Sequence, residues 1–123
     1  MRLLVPALVV LASLTAAFFV WQRFFSHEAK VIRLVQATLT DPESAQFRGV
    51  RRSGSASFTC GEVNAKNRMG GYVGFTPFMV AADGAVTLHP PMPVQHEGAP
   101  QFLAKFNARV DFELSYAKHC ANH

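Results

Sequence analysis

Charge is missing from the start of this chain: Leu3 to Trp21 reads L-L-V-P-A-L-V-V-L-A-S-L-T-A-A-F-F-V-W without one ionisable side chain. Acidic residues are scarce everywhere, eight in 123. A hydrolase acting on the cell envelope would have only Glu62 on the expected central strands, and Asp111 and Glu113 on the last helix. Cysteine is limited to Cys60 and Cys120. Neither stands just after the apolar run, which excludes a lipidated N-terminus. Gly70-Gly71 lacks the lysine and hydroxyl residue of a phosphate-binding loop, and no helix follows it. Beyond Trp21 lie eleven of the twelve basic residues and all eight acids, a formal +3. That balance is too mild for a nucleic-acid binder, and no aromatic-rich RNA-binding motif accompanies it. Internal repeats and low-complexity tracts are absent as well.

What is present first is a membrane segment. At about 1.5 Å per residue, a helix from Leu3 to Trp21 covers roughly the hydrocarbon core of a bilayer. Trp21, with Phe24 and Phe25 just beyond, suits the aromatic belt at its boundary. Thr15-Ala16-Ala17 offers a signal-peptidase site, but cleavage after Ala17 leaves the greasy terminus F-F-V-W-Q-R-F-F. An uncleaved signal-anchor fits better, and secretion after cleavage stays as the alternative. Flanking charges hardly decide orientation: Arg2 on one side, Arg23, Lys30 and Arg33 on the other, offset by Glu28. An early apolar segment and an even cysteine count favour export, with the N-terminus inside.

The organisation expected is a transmembrane signal-anchor over 1–25, an amphipathic helix over 26–40 and a small extracytoplasmic α+β domain over 41–123. Ser26 can cap that helix, and Val31, Leu34, Val35 and Leu39 share one face. No breaker separates the helix from the membrane segment, so continuity is the other possibility. Thr40-Asp41-Pro42-Glu43-Ser44 is a helix start, predicting a short helix to about Gln46 with Phe47 in the core. Strands are expected over Arg48–Arg52, Ala56–Asn64, Tyr72–Ala82 and Ala85–Leu88. Asp83-Gly84 serves as a two-residue hairpin turn between the last two. Pro77 cannot donate to a ladder, which predicts an edge or a bulge there. His89 to Pro100 holds four prolines and reads as a surface loop. In the final helix Leu103, Phe106, Val110, Leu114 and Ala117 form one apolar stripe, with Phe112 pointing away from it. The architecture is therefore α+β: an N-terminal transmembrane helix, then a three- to four-stranded antiparallel sheet packed by helices on one face.

Chemistry concentrates between Cys60 and Phe75, C-G-E-V-N-A-K-N-R-M-G-G-Y-V-G-F. Glycine and asparagine accept left-handed backbone, so the stretch reads as strand, shaped loop and returning strand. Asn64, Lys66, Asn67, Arg68 and Tyr72 are the candidate recognition residues; the two asparagines also suit bonds to their own loop. Arg48, Arg51 and Arg52 would join the two loop cations if the strands pair as drawn. Cys60 and Cys120 would close a loop of about 60 residues, worth roughly 4 kcal/mol in the chain-entropy model. The competing readings are free thiols, or a Cys60 nucleophile with His89, His96, His119 or His123 as base. His119, Cys120 and His123 could face a metal, since the i, i+4 histidines share a helical face, but they stand at a fraying end without further ligands. No metal and no cofactor is expected.

D-P-E-S-A-Q-F-R at Asp41 to Arg48, C-G-E-V-N-A-K-N at Cys60 to Asn67 and G-G-Y-V-G-F at Gly70 to Phe75 together resemble a family. Its members are small bacterial and phage-encoded proteins, often preceded by a signal sequence or membrane segment. The resemblance spans residues 41 to 80 and implies fold and location without catalytic residues; Cys120 and the last helix lie outside it. The expected function is a non-enzymatic module of the bacterial inner membrane with a periplasmic domain. Its expected partners are the membrane and an envelope protein or small polar ligand, without nucleic acid. Besides the hydrolase, the alternative is a structural subunit assembling through Ala12, Ser13, Ala16 and Ala17 of the apolar helix.

Overall fold

In the computed structural model the described residues are 4–55, 57–94, 96 and 98–121. The side chains of Phe24 and Phe25, assigned to the belt, lie outside the described residues, as do Ala56 and His123. The chain divides into two compact units, one through Lys30 and one from Val31 onward.

Helix α1 spans Leu4–Gln36 without interruption. Ser26 does not cap a second helix; its hydroxyl donates to the Arg23 carbonyl at 3.1 Å, inside the continuous helix. Nothing in the sequence there removes a backbone donor, so the ladder runs on. In the first unit the apolar side chains from Val9 to Trp21 stand exposed. The helix is long and apolar enough to cross a membrane, which suits an anchor or a signal sequence.

In the second unit four strands form an antiparallel meander in the order β1-β2-β3-β4. They are β1 (Gln46–Arg52), β2 (Phe58–Asn64), β3 (Thr76–Ala81) and β4 (Val86–Leu88). The Asp41–Pro42 signal yields only a single 3₁₀ turn, Pro42–Ser44, and the strand starts at Gln46 rather than Arg48. β3 is an inner strand, not an edge, and it carries no bulge at Pro77. The Pro77 carbonyl accepts from His89 N at 2.9 Å, on the side where β4 has ended. The missing N–H of Pro77 points the same way, so pairing with β2 is intact and only the reciprocal bond to the His89 carbonyl is absent. The Asp83-Gly84 hairpin is a three-residue loop, with Ala81 N donating to Ala85 O and Gly84 in the left-handed region that such loops require.

Two separate cores flank the sheet, which corrects the expectation of helices on one face. Successive strand residues point to opposite sides. Val63, Phe78 and Val80 therefore pack with Val31 and Val35 of α1, and Leu34 and Leu39 close the margin as their spacing predicts. Cys60 and Met79, an odd number of residues away in their strands, pack with Phe112 and Cys120 of α2 (Ala99–His119). Phe58 and Tyr116 border that second core. α2 thus faces the sheet through Phe112 and Tyr116. The stripe expected to be inside is outside: Leu103 is 56% exposed and Leu114 66%. The aromatic face buries more area per residue, and the disulfide at the helix end fixes the rotation.

Candidate functional site

Cys60 and Cys120 are joined, with Cα atoms 5.9 Å apart and both side chains buried. That separation is ordinary for a disulfide. Arg51 on β1 donates to the Cys120 carbonyl at 2.8 Å, holding the last turn to the sheet. These bonds dispose of two readings. A disulfide sulfur is no nucleophile, and it is no metal ligand either. The His119 ring lies against Phe58 at 4.6 Å. Among the described residues no three His, Cys, Asp or Glu side chains are placed to hold a metal.

The loop joining β2 to β3 is built by its own asparagines. Asn67 Oδ1 accepts from Met69 N at 2.9 Å and Gly71 N at 3.2 Å. The backbone adds Asn67 N to Gly71 O and Gly70 N to Asn67 O, both 2.9 Å. Asn64 Oδ1 accepts from Gly74 N at 3.0 Å, beside a glycine whose φ of 100° disfavours any other residue. Asn67 suits its place because a short amide oxygen reaches main-chain donors two to four residues on, whereas Asn64 ties the strand end to the far side of the loop. Tyr72 is structural too: paired with Lys66 in an isolated bridge, it donates its phenol to the Ser44 carbonyl at 3.1 Å. Ser44 Oγ accepts from Lys66 N at 2.9 Å, so the 3₁₀ turn props the loop from below.

The five candidates therefore divide by role. Asn64, Asn67 and Tyr72 shape the loop; Lys66 and Arg68 are carried by it. Lys66 Nζ stands over the Tyr72 ring, 5.6 Å from its centroid. Arg68 is exposed at the loop's turn, beside Met69, which is 94% exposed. Reasoning from sequence missed Ser44, whose hydroxyl and carbonyl serve both ends of the loop; the D-P-E-S turn signal was the clue.

Arg48, Arg51 and Arg109 are occupied separately rather than gathered. Arg48 Nε donates to Glu62 Oε2, and its guanidinium lies 3.9 Å above the Phe75 ring. Glu62, the carboxylate available to a hydrolase, is thereby held in an ion pair. Just beyond β4, His89 Nε2 meets Glu113 Oε1 at 2.7 Å, and Arg109 donates to the Pro90 carbonyl at 3.0 Å. The hydrogen bond from His89, with the nearby positive charge, lowers the Glu113 pKa below the ordinary carboxylate value. These bonds fasten the proline-rich segment to α2.

The fold so defined is a disulfide-closed antiparallel meander between two helices, one of them continuous with an apolar segment. Compared with known proteins, the chain matches no family model, no curated protein and no solved structure.

Proposed function

We propose that this chain is a membrane-anchored, non-enzymatic binding module of the bacterial envelope. In this reading α1 holds the protein in the inner membrane and the disulfide-closed domain faces the periplasm. The loop from Asn64 to Phe75 contacts an envelope protein or a small polar ligand. One observation carries the proposal: the loop is held by its own asparagines and by Ser44, while Arg68 is left exposed and Lys66 half-exposed beside Tyr72. A preorganised loop carrying cations binds without first losing conformational entropy. The disulfide supports an oxidising compartment, and the resemblance to exported bacterial and phage-encoded proteins supports the same placement.

A photo-reactive amino acid replacing Arg68, in the full-length protein in its native membrane, tests this. A discrete adduct should form there, fade when Lys66→Ala is added, and be absent with the probe at exposed Glu43. Equal, diffuse labelling from both positions would remove the loop from the proposal.

A further inference from the structure

The exposed stripe of α2 has a symmetry that its buried face lacks. Leu103, Phe106, Val110, Leu114 and Ala117 lie within about 80° of one another around the helix axis. Their spacings read three, four, four, three, the same in both directions from Val110. Leu103, Phe106, Val110 and Leu114 are 56%, 45%, 38% and 66% exposed, although Phe112 on the other side is buried. They leave on the order of 400 Å² of apolar surface open, the size of the largest patch on a typical monomer, which is often functional. Phe106, Val110 and Leu114 form one continuous i, i+4 ridge, the commonest packing element between helices.

We propose that this face pairs with the same face of a second copy of the chain, α2 antiparallel to α2, about a two-fold axis at Val110. In that register Phe106 faces Leu114 of the other copy, Leu103 faces Ala117, and Val110 faces itself. Each apolar residue meets an apolar residue, as an isologous interface requires. On one flank Arg109 and Glu113 of both copies form a net-neutral group of four charges, in which each Glu113 lies within two residues of the other copy's Arg109; on the other flank the two Asp111 carboxylates stand far from the seam. Arg109 now reaches only a carbonyl and, at 3.8 Å, Glu113 of its own helix, so its fork retains donors. Antiparallel helix dipoles attract weakly, whereas parallel ones repel. Pairing would cover about 800 Å² in total, below the roughly 1,200 Å² of stable interfaces, so the dimer is a weak, transient one. This surface is distinct from the Asn64–Phe75 loop, and the inference does not rest on the loop's role.

Oxidative crosslinking of the full-length protein in its own membrane reads a weak pair. Val110→Cys should give a covalent dimer on its own. Phe106→Cys and Leu114→Cys should crosslink when co-expressed, at least fivefold more than either alone, because the two copies of position 106 stand about 12 Å apart along the axis. Phe106→Glu should abolish the Val110→Cys dimer while leaving the melting temperature within a degree or two, since the side chain is already half exposed. Crosslinking of Phe106→Cys alone, as strong as the mixed pair, would mean a parallel or random contact and would overturn the proposal. So would no dimer from Val110→Cys, whether a nitroxide there proves free in water or buried in lipid.

Discussion

The ring of Phe78 on β3 lies directly against the backbone of Gly61 on β2. A methyl group at position 61 would meet the ring carbons Cζ and Cε1 at 2.7 and 2.9 Å, with Val50 Cγ2 at 3.2 Å. Phe78 is fully buried and meets Phe47 edge-on at 6.0 Å, so its ring has nowhere to retreat. Gly61→Ala should therefore destabilise the domain by about 1–3 kcal/mol, the usual cost of overpacking. Urea denaturation measures it, and pairing the substitution with Phe78→Leu should recover part of the loss. An alanine variant as stable as the parent would show that the two strands separate more easily than this contact implies.

Joining Cys60 to Cys120 constrains a loop closed across a sequence separation of 60. Replacing both cysteines by alanine should lower stability by roughly 4 kcal/mol, with loop-closure entropy as the main term. For a domain this small that change moves much of the population to the unfolded state. Peptide mass spectrometry without reduction, on protein from the membrane fraction, should find the crosslinked pair. Two thiols alkylated in undenatured protein would argue against an exported domain.

The parts legible in the sequence were those with local signals. Strand breaks after Arg52 and at Asp83-Gly84, the inward face of Val31 and Val35, and the cysteine pairing all follow from residues near one another in the chain or from simple counting. The rotation of α2 was not local. Aliphatic residues are more numerous along Leu103–Ala117, but Phe112 and Tyr116 supply large flat surfaces, stacked at 5.6 Å, that cover Met79 and the disulfide. Only the partner sheet decides between these faces. The same limit applies to the sheet's two-sided cover, because alternation shows that two faces exist and not which helix takes each. In the loop, composition pointed to a shaped segment but could not separate residues that build it from residues it presents.

Glu113 should make part of the domain's stability depend on acid. Its folded pKa lies below the ordinary 4.5, so its contribution is present above that value. It is lost as pH falls from there through the folded pKa, when the carboxylate no longer accepts from His89. Proton titration followed by NMR should place Glu113 below 4.5. Glu113→Gln should flatten the acid limb of the stability profile and loosen the segment from His89 to Val94, with little change near neutrality beyond the lost ion pair. A Glu113 titrating at or above 4.5 would mean that the bond to His89 is not maintained in solution.

Asn67 and Arg68 are neighbours with opposite duties, and substitution should separate them. Asn67→Ala removes an acceptor from two main-chain donors, Met69 N and Gly71 N. Each such bond contributes about 1 kcal/mol at most where water can substitute, so global stability should fall only modestly. The local effect should be larger: amide exchange at Met69 and Gly71 should accelerate at least tenfold. Tyr72→Phe should do the same more weakly at Lys66, by freeing the Ser44 carbonyl and loosening the turn beneath the loop. Lys66→Ala with Arg68→Ala should leave exchange throughout the loop unchanged, because neither side chain holds the backbone. Faster exchange in that double variant would make the cations part of the scaffold, and the loop would then have no residues reserved for recognition.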